Sequence, residues 1–128
     1  MKKKLTSNME DYMETIFVLQ KEHGHAHVRD IAKIIRIKMP SVSEALRKLK
    51  KSNLVNYNRY SSVTLTQKGK TIAQKVIKRH QVLYRFLHNV LRVGSGIAQE
   101  DACRIEHVIS HQTLKRLEKL IRLKGEKK

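Results

Sequence analysis

A mainly α-helical fold with one short β-hairpin is predicted by three observations. Apolar residues recur at helical spacing in six separate stretches, and strict alternation occurs only around Leu54–Tyr57 and Val63–Thr66. Two short helices in a tight sequence, the second basic on its outer face, stand directly before that alternation. The 128 residues and 15.0 kDa suit one compact domain or two small units, with no room for a large catalytic scaffold.

Ser7 followed by Glu10 forms a capping box, and Met9, Met13, Ile16 and Phe17 then follow at helical spacing, so a first helix is expected from about Ser7 to Glu22. Gly24 stops it. Val28, Ile31, Ala32 and Ile35 mark a short second helix, and Arg36 to Met39 a tight connection. Pro40 and Ser41, with Glu44 as a second capping box, are expected to open a third helix. Val42, Ala45, Leu46 and Leu49 are its inward set, and Ser43, Glu44, Arg47, Lys48 and Lys51 its outer face. The two alternating segments on either side of Arg59 to Ser62 then close a hairpin.

Helix, helix, helix and hairpin in this order make a winged helix-turn-helix, whose third helix reads the DNA major groove. Ser41, Ser43, Arg47 and Lys48 are expected near base edges and phosphates, with Glu44 and Lys51 beside them, and Arg59 and Tyr60 on the wing near the backbone or minor groove. The charge agrees: 28 Lys and Arg against 11 Asp and Glu give +17 and a pI near 10.3, an excess that a polyanion would screen. Part of it sits in the terminal runs Lys2–Lys4 and Lys124–Lys128, where a solvated tail is the plainer reading.

A long helix from about Thr66 carries Ile72, Val76, His80, Leu83 and Leu87 on one stripe and ends near Gly94–Gly96. A further helix from about Ala98 to Ser110 and a last one from about Thr113 hold more apolar surface than the reading unit can cover, which predicts a symmetric homodimer. The expected division is 1–66 for a DNA-binding domain and 67–128 for a helical metal-binding and dimerisation domain. No apolar run spans a bilayer and no signal peptide is expected. The single cysteine excludes an internal disulfide, and together these features predict a cytoplasmic protein.

The segment Asp101 to His107 places Cys103, Glu106 and His107 at i, i+3 and i+4, which on one continuous helix puts a thiol, a carboxylate and an imidazole on one face. Asp11 and Glu14 form an i, i+3 pair on the first helix, and His80 adds another candidate ligand. Singly, His80 reads as a core histidine and Cys103 as an inert thiol. Together, converging carboxylates would repel one another unless a cation satisfied them. His23, His25 and His27 are more conspicuous, yet they fall at a helix break with nothing to fix their register, so an exposed loop is expected there.

Met9-Glu10-Asp11-Tyr12 with Glu14, Pro40-Ser41-Val42-Ser43, Leu65-Thr66-x-x-Gly69, Arg79-His80 and Ala102-Cys103-Arg104-x-Glu106-His107-Val108-x-Ser110 run in order along nearly the whole chain. Together they resemble the diphtheria toxin repressor and manganese transport regulator family. The resemblance implies a dimeric, metal-activated transcriptional repressor of metal-uptake genes that binds a palindromic operator, and, since the chain stops after the dimerisation helices, the shorter manganese-regulator branch. It implies Asp11, Glu14, His80, Glu106 and His107 as ligands matching the manganese branch, with Cys103 where that branch has glutamate and the diphtheria type has its cysteine ligand. Asp11 conversely stands where the diphtheria type has methionine, and Tyr84 and Gln99 replace two ligands of that type's ancillary site.

A soft thiolate in place of a hard carboxylate lowers the relative preference for Mn²⁺. Availability in a reducing cytoplasm then favours Fe²⁺, with Mn²⁺ next and Co²⁺, Ni²⁺ or Zn²⁺ as substitutes. The main rival is a constitutive winged-helix DNA-binding protein without metal sensing, whose DNA affinity a chelator would leave unchanged. A metal-dependent hydrolase would need a further base or substrate loop that the pattern lacks. A membrane-surface role would need an aromatic-bearing amphipathic helix. The expectation is therefore a regulator with no enzyme activity, no membrane partner and no small-molecule substrate.

Overall fold

Residues 7–58 and 62–123 are described by the structure, a computed structural model. In chain order they form α1 (Ser7–His23), α2 (Val28–Ile35), α3 (Met39–Lys51), β1 (Val55–Tyr57), β2 (Val63–Leu65), α4 (Gln67–Arg85), α5 (Ser95–Ile105) and α6 (His111–Leu123), with a wide helical turn over Phe86–Val90. They belong to two compact units, 1–75 and 76–128, whose division falls inside α4.

The first unit is a winged helix-turn-helix. Met13, Ile16, Ile31, Val42 and Leu46 are all fully buried in its core, each contributing about 1.5–3 kcal/mol of transfer free energy. Arg36 takes the left-handed conformation (φ 66°) between α2 and α3, and its N–H and that of Ile37 both donate to the Ala32 carbonyl, which turns the chain sharply into α3. β1 and β2 pair antiparallel in the register Val55 with Leu65, Asn56 with Thr64 and Tyr57 with Val63. Val55, Val63 and Leu65 face the core, as alternation requires.

Thr66 explains the motif that opens α4. Its hydroxyl accepts from the Gly69 N–H at 3.0 Å, capping the helix, and donates to the Asn53 carbonyl at 2.8 Å. Gly69 is obligatory for a steric reason, because a Cβ there would run into the Leu54 carbonyl oxygen, with the Met13 methyl also close.

The second unit packs Val82, Leu83, Ala102, Leu114 and Ile121 as its buried centre. After α4 the helix widens, the Leu91 N–H reaching back to the Phe86 carbonyl at 3.0 Å, and the chain leaves it before Gly94. Among the described residues no helix is long and apolar enough to cross a membrane.

The structure corrects three local expectations. α3 opens two residues ahead of Ser41, with Lys38 as its extended N-cap and no side-chain cap bond, so the second capping box does not form. Pro40 is tolerated there because first-turn N–H groups have no helical partner to lose. α5 ends at Ile105 instead of continuing to Ser110, leaving Glu106 as the capping residue and His107 in the turn beyond. The physical reason lies downstream: Ser110 caps α6 through Thr113 N–H to its Oγ (3.1 Å) and Leu114 N–H to its carbonyl (3.0 Å). α6 accordingly starts at His111, ahead of the expected Thr113.

Candidate metal centre and nucleic-acid interface

Chain reversal between α4 and α5 brings three expected ligands together within the second unit. His80 on α4 places Nδ1 2.9 Å from Glu106 Oε1 and 3.8 Å from Cys103 Sγ, across sequence separations of 26 and 23. His107 Nε2 stands 3.6 Å from the other oxygen, Glu106 Oε2. The break in the helix after Ile105 does not scatter the trio of Cys103, Glu106 and His107. Glu106 keeps helical dihedrals (φ −58°, ψ −24°), so its spacing from Cys103 still follows the helix.

The Glu106 side chain is completely buried, and among the described residues its Oε2 has no hydrogen-bond partner, the His107 ring standing at 3.6 Å. A buried carboxylate oxygen without a close donor is costly, and a neutral imidazole at 3.6 Å does not remove the cost. A divalent cation does, because carboxylate, imidazole and thiolate are the donor types that such ions take. The residues present therefore fit a divalent metal. The cysteine is solvent-exposed, so the thiol side of the group stays open to incoming ions.

Gln99 was not singled out as a functional residue by the sequence, where it only replaces a ligand of an ancillary site. Its Oε1 lies 2.7 Å from His80 Nε2, holding the ring from the side opposite Glu106. That is the supporting role an outer partner plays for a metal-binding histidine. A glutamine four residues before Cys103 on the same helix was the available signal. Tyr84 donates to or accepts from Ser95 Oγ at 3.0 Å and stacks on His88, so it is occupied away from this cluster.

Asp11 and Glu14 sit in the first unit, one helical turn apart on α1 and both half-buried. Tyr12 between them is 4% exposed, and burial pushes its phenol above the ordinary tyrosine range, so it remains neutral in the core.

On α3, Ser41, Glu44, Arg47, Lys48 and Lys51 are all exposed, while Val42, Ala45, Leu46 and Leu49 are buried. Ser43 is half-buried, and its Oγ accepts from the Tyr57 hydroxyl at 3.4 Å, which ties the helix to β1. Lys50, which the sequence reading passed over, donates to the Tyr57 carbonyl at 3.1 Å and extends the cationic row, as its position three residues after Arg47 could have indicated. Glu44, Arg47, Lys48, Lys50 and Lys51 line one shallow surface depression. Asn53, Asn56, Tyr57, Asn58 and Thr64 line a second beside the wing, together with Lys50. Arg59 and Tyr60, expected at the wing tip, lie outside the described residues.

Residues 4–63 match the family model described as the iron dependent repressor N-terminal DNA binding domain, and residues 66–123 that described as the iron dependent repressor metal binding and dimerisation domain. The transcriptional regulator MntR of Geobacillus thermodenitrificans is 36% identical over 116 residues, covering 91% of this chain and 82% of that protein. An uncharacterized HTH-type transcriptional regulator of Methanocaldococcus jannaschii is 34% identical over 114 residues, covering 88% and 91%. The solved manganese regulator SloR matches with a TM-score of 0.80 at 30% identity, over 92% of this chain and 55% of that one. A manganese-dependent transcriptional repressor solved with manganese matches with a TM-score of 0.83 at 27% identity, over 89% and 52%. The chain thus spans about half the length of those solved structures. A DNA-binding winged helix joined to a cluster of metal-type donors, and matches to both family models, place the chain in the diphtheria toxin repressor and manganese transport regulator family of metal-dependent DNA-binding transcriptional repressors, which are not enzymes.

Proposed function

We propose that the chain is a dimeric repressor of metal-uptake genes in the cytoplasm, activated by Fe²⁺ in preference to Mn²⁺. The observation that carries this reading is the Cys103–His80–Glu106 group, gathered from two helices around a fully buried carboxylate. Asp11 and Glu14 of α1 and His107 complete the ligand set in this proposal. The metal, when bound, supplies the positive charge that the converging carboxylates need.

The chain's own residues do the rest. His80 donates from Nε2 to Gln99 Oε1, which leaves Nδ1 turned toward Glu106 Oε1 and Cys103 Sγ, so the ring is oriented before an ion arrives. Because the proposed ligands come from both α1 and the C-terminal helices, filling the site ties the reading part, 1–66, to the dimerising part, 67–128. That restricts the paired recognition helices to a spacing near one duplex turn, about 34 Å. The dimer is supported by Ile97, Leu91, Leu123 and Val108, which leave 54–81% of their surface exposed. Ser41, Ser43, Glu44, Arg47, Lys48 and Lys51, with Arg59 and Tyr60 from the wing, are the proposed DNA-contacting set. Arg47 and Lys48 neutralise phosphates, and Ser43 is positioned by Tyr57.

The thiol is the basis for iron over manganese, since exchanging a carboxylate for a thiolate favours metals later in the divalent series, and Co²⁺, Ni²⁺ and Zn²⁺ substitute on the same ground. The relatives named as manganese regulators supply the contrary expectation. Anaerobic titration of Fe²⁺ and Mn²⁺ against binding to a palindromic operator decides the matter in native protein and Cys103→Glu. Fe²⁺ is expected to activate the native protein at lower concentration, and Cys103→Glu to move the preference toward Mn²⁺. An identical metal response in the two proteins sinks the iron assignment, and DNA affinity indifferent to chelator sinks metal activation itself.

A further inference from the structure

We propose that His25 and His27 form a second metal site, separate from the Cys103–His80–Glu106 cluster, which takes an imidazole-preferring divalent ion such as Zn²⁺. Their Nε2 atoms are 3.0 Å apart, and the rings meet edge to face with centroids 4.6 Å apart. Two nitrogens sharing one tetrahedral zinc at about 2.0–2.1 Å each are separated by about 3.3 Å, so a small opening of the pair admits the ion.

The backbone holds these rings in place. His25 and His27 flank Ala26, which bridges to β2, and their rings meet on one side of the chain. Ala26 is 1% exposed and exchanges two hydrogen bonds with Val63 of β2, at 2.9 and 2.7 Å. On one side Gly24 turns the chain with φ at +86°, a conformation that a side chain would disfavour. On the other, His27 is the N-cap of α2, its carbonyl accepting from the Ile31 N–H at 3.0 Å. What the sequence suggests is a loose loop is thus a strand-like segment fixed at both ends, which meets the requirement that ligands be held before the metal arrives.

Between neutral rings, one Nε2 carries a proton and the other accepts it. Metal binding moves that proton to Nδ1 of the same ring, so both Nε2 lone pairs face one ion, with no redox step and no net proton release. Water fills the remaining positions, which makes this an exchangeable site. Imidazole favours Zn²⁺, Ni²⁺ and Cu²⁺, whereas Mg²⁺ takes oxygen ligands. His23, at the end of α1, has its ring nitrogen 3.7 Å from its neighbour Glu22 and is not counted as a ligand.

The test is a Zn²⁺ titration of the full chain, counting bound zinc by equilibrium dialysis and following the histidine ring ¹⁵N resonances by NMR. Native protein is compared with the double variant His25→Gln/His27→Gln, both positions being surface groups outside the metal and DNA-binding sets. The native protein is expected to take up an additional zinc ion that the double variant does not, with the His25 and His27 Nε2 signals moving together and Mg²⁺ leaving them unmoved. Equal zinc uptake by the two proteins overturns the proposal. So does movement of only one of the two rings, or an equal response to Mg²⁺. The His80 and His107 signals in the same spectra report the other centre separately, so failure of one site is distinguishable from failure of the other.

Discussion

The two units of this chain are held by different kinds of interaction. Around Met13, Ile16, Ile31, Val42 and Leu46 the first unit is an apolar core with its polar backbone groups closed off by caps and by the hairpin ladder. The second unit has a smaller apolar centre and also a fully buried carboxylate, one oxygen of which is met only by the His107 ring at 3.6 Å among the described residues. Under the proposed function the first unit's stability is intrinsic, whereas the second's is conditional, because it holds a buried carboxylate that a bound cation would neutralise. Apolar burial is indifferent to the metal supply, whereas an unsatisfied buried charge is governed by it.

The largest expected effect tests the intrinsic half. Leu46→Ala removes a fully buried side chain from the first core and is expected to cost about 2–5 kcal/mol, read from urea unfolding. The cost should be the same with and without metal, and a loss that vanishes on adding metal would break the contrast. Next comes the conditional half. Glu106→Gln keeps a hydrogen-bonding group beside His80 but removes the buried charge, so metal should no longer stabilise the protein in thermal unfolding. The metal-dependent gain in DNA affinity, about 5–150-fold in the ordinary range of such couplings, should disappear with it. A variant that still responds to metal in both assays would place the sensing elsewhere.

A smaller effect separates reading from sensing. Arg47→Ala on the exposed face of α3 should make the slope of log K against log salt shallower by about 0.9, measured by fluorescence anisotropy at several salt concentrations. Its metal-binding isotherm in the absence of DNA should match that of the native protein, and a changed isotherm would mean that the two functions share residues. The smallest effect is on the surface of the second unit. Lys78 and Glu118 pair at 3.3 Å with the lysine 63% exposed, and Lys78→Ala should change stability by about 1 kcal/mol or less. A larger loss would show that surface charge, not the buried group, carries that unit.

Much of this was legible beforehand, for identifiable reasons. The inward set Val42, Ala45, Leu46 and Leu49 is buried as the helical period requires, and the alternation in Val55–Tyr57 and Val63–Leu65 pairs as a hairpin. These signals are local, and local periodicity survives whatever the rest of the chain does. Boundaries were less legible. Ser41 looked like a cap because serine followed by glutamate often is one, yet the Arg36 turn starts α3 early enough to carry Ser41 inside it. Val108 and Ile109 continued the apolar spacing of α5, but the cap that Ser110 offers α6 divided the stretch.

The sequence by itself determined the secondary structure types, the cationic face of α3, and which side chains could serve as metal ligands, since each depends on residue chemistry and on spacing within a few turns. Only the tertiary structure decided which of those groups meet. His80 reaches Cys103 and Glu106 across more than twenty residues, Gln99 becomes the support of His80, and Val63 straightens the segment that carries His25 and His27. The reason is that such meetings depend on where a chain reverses and on competition among caps and backbone partners far apart in sequence, and no local period encodes either.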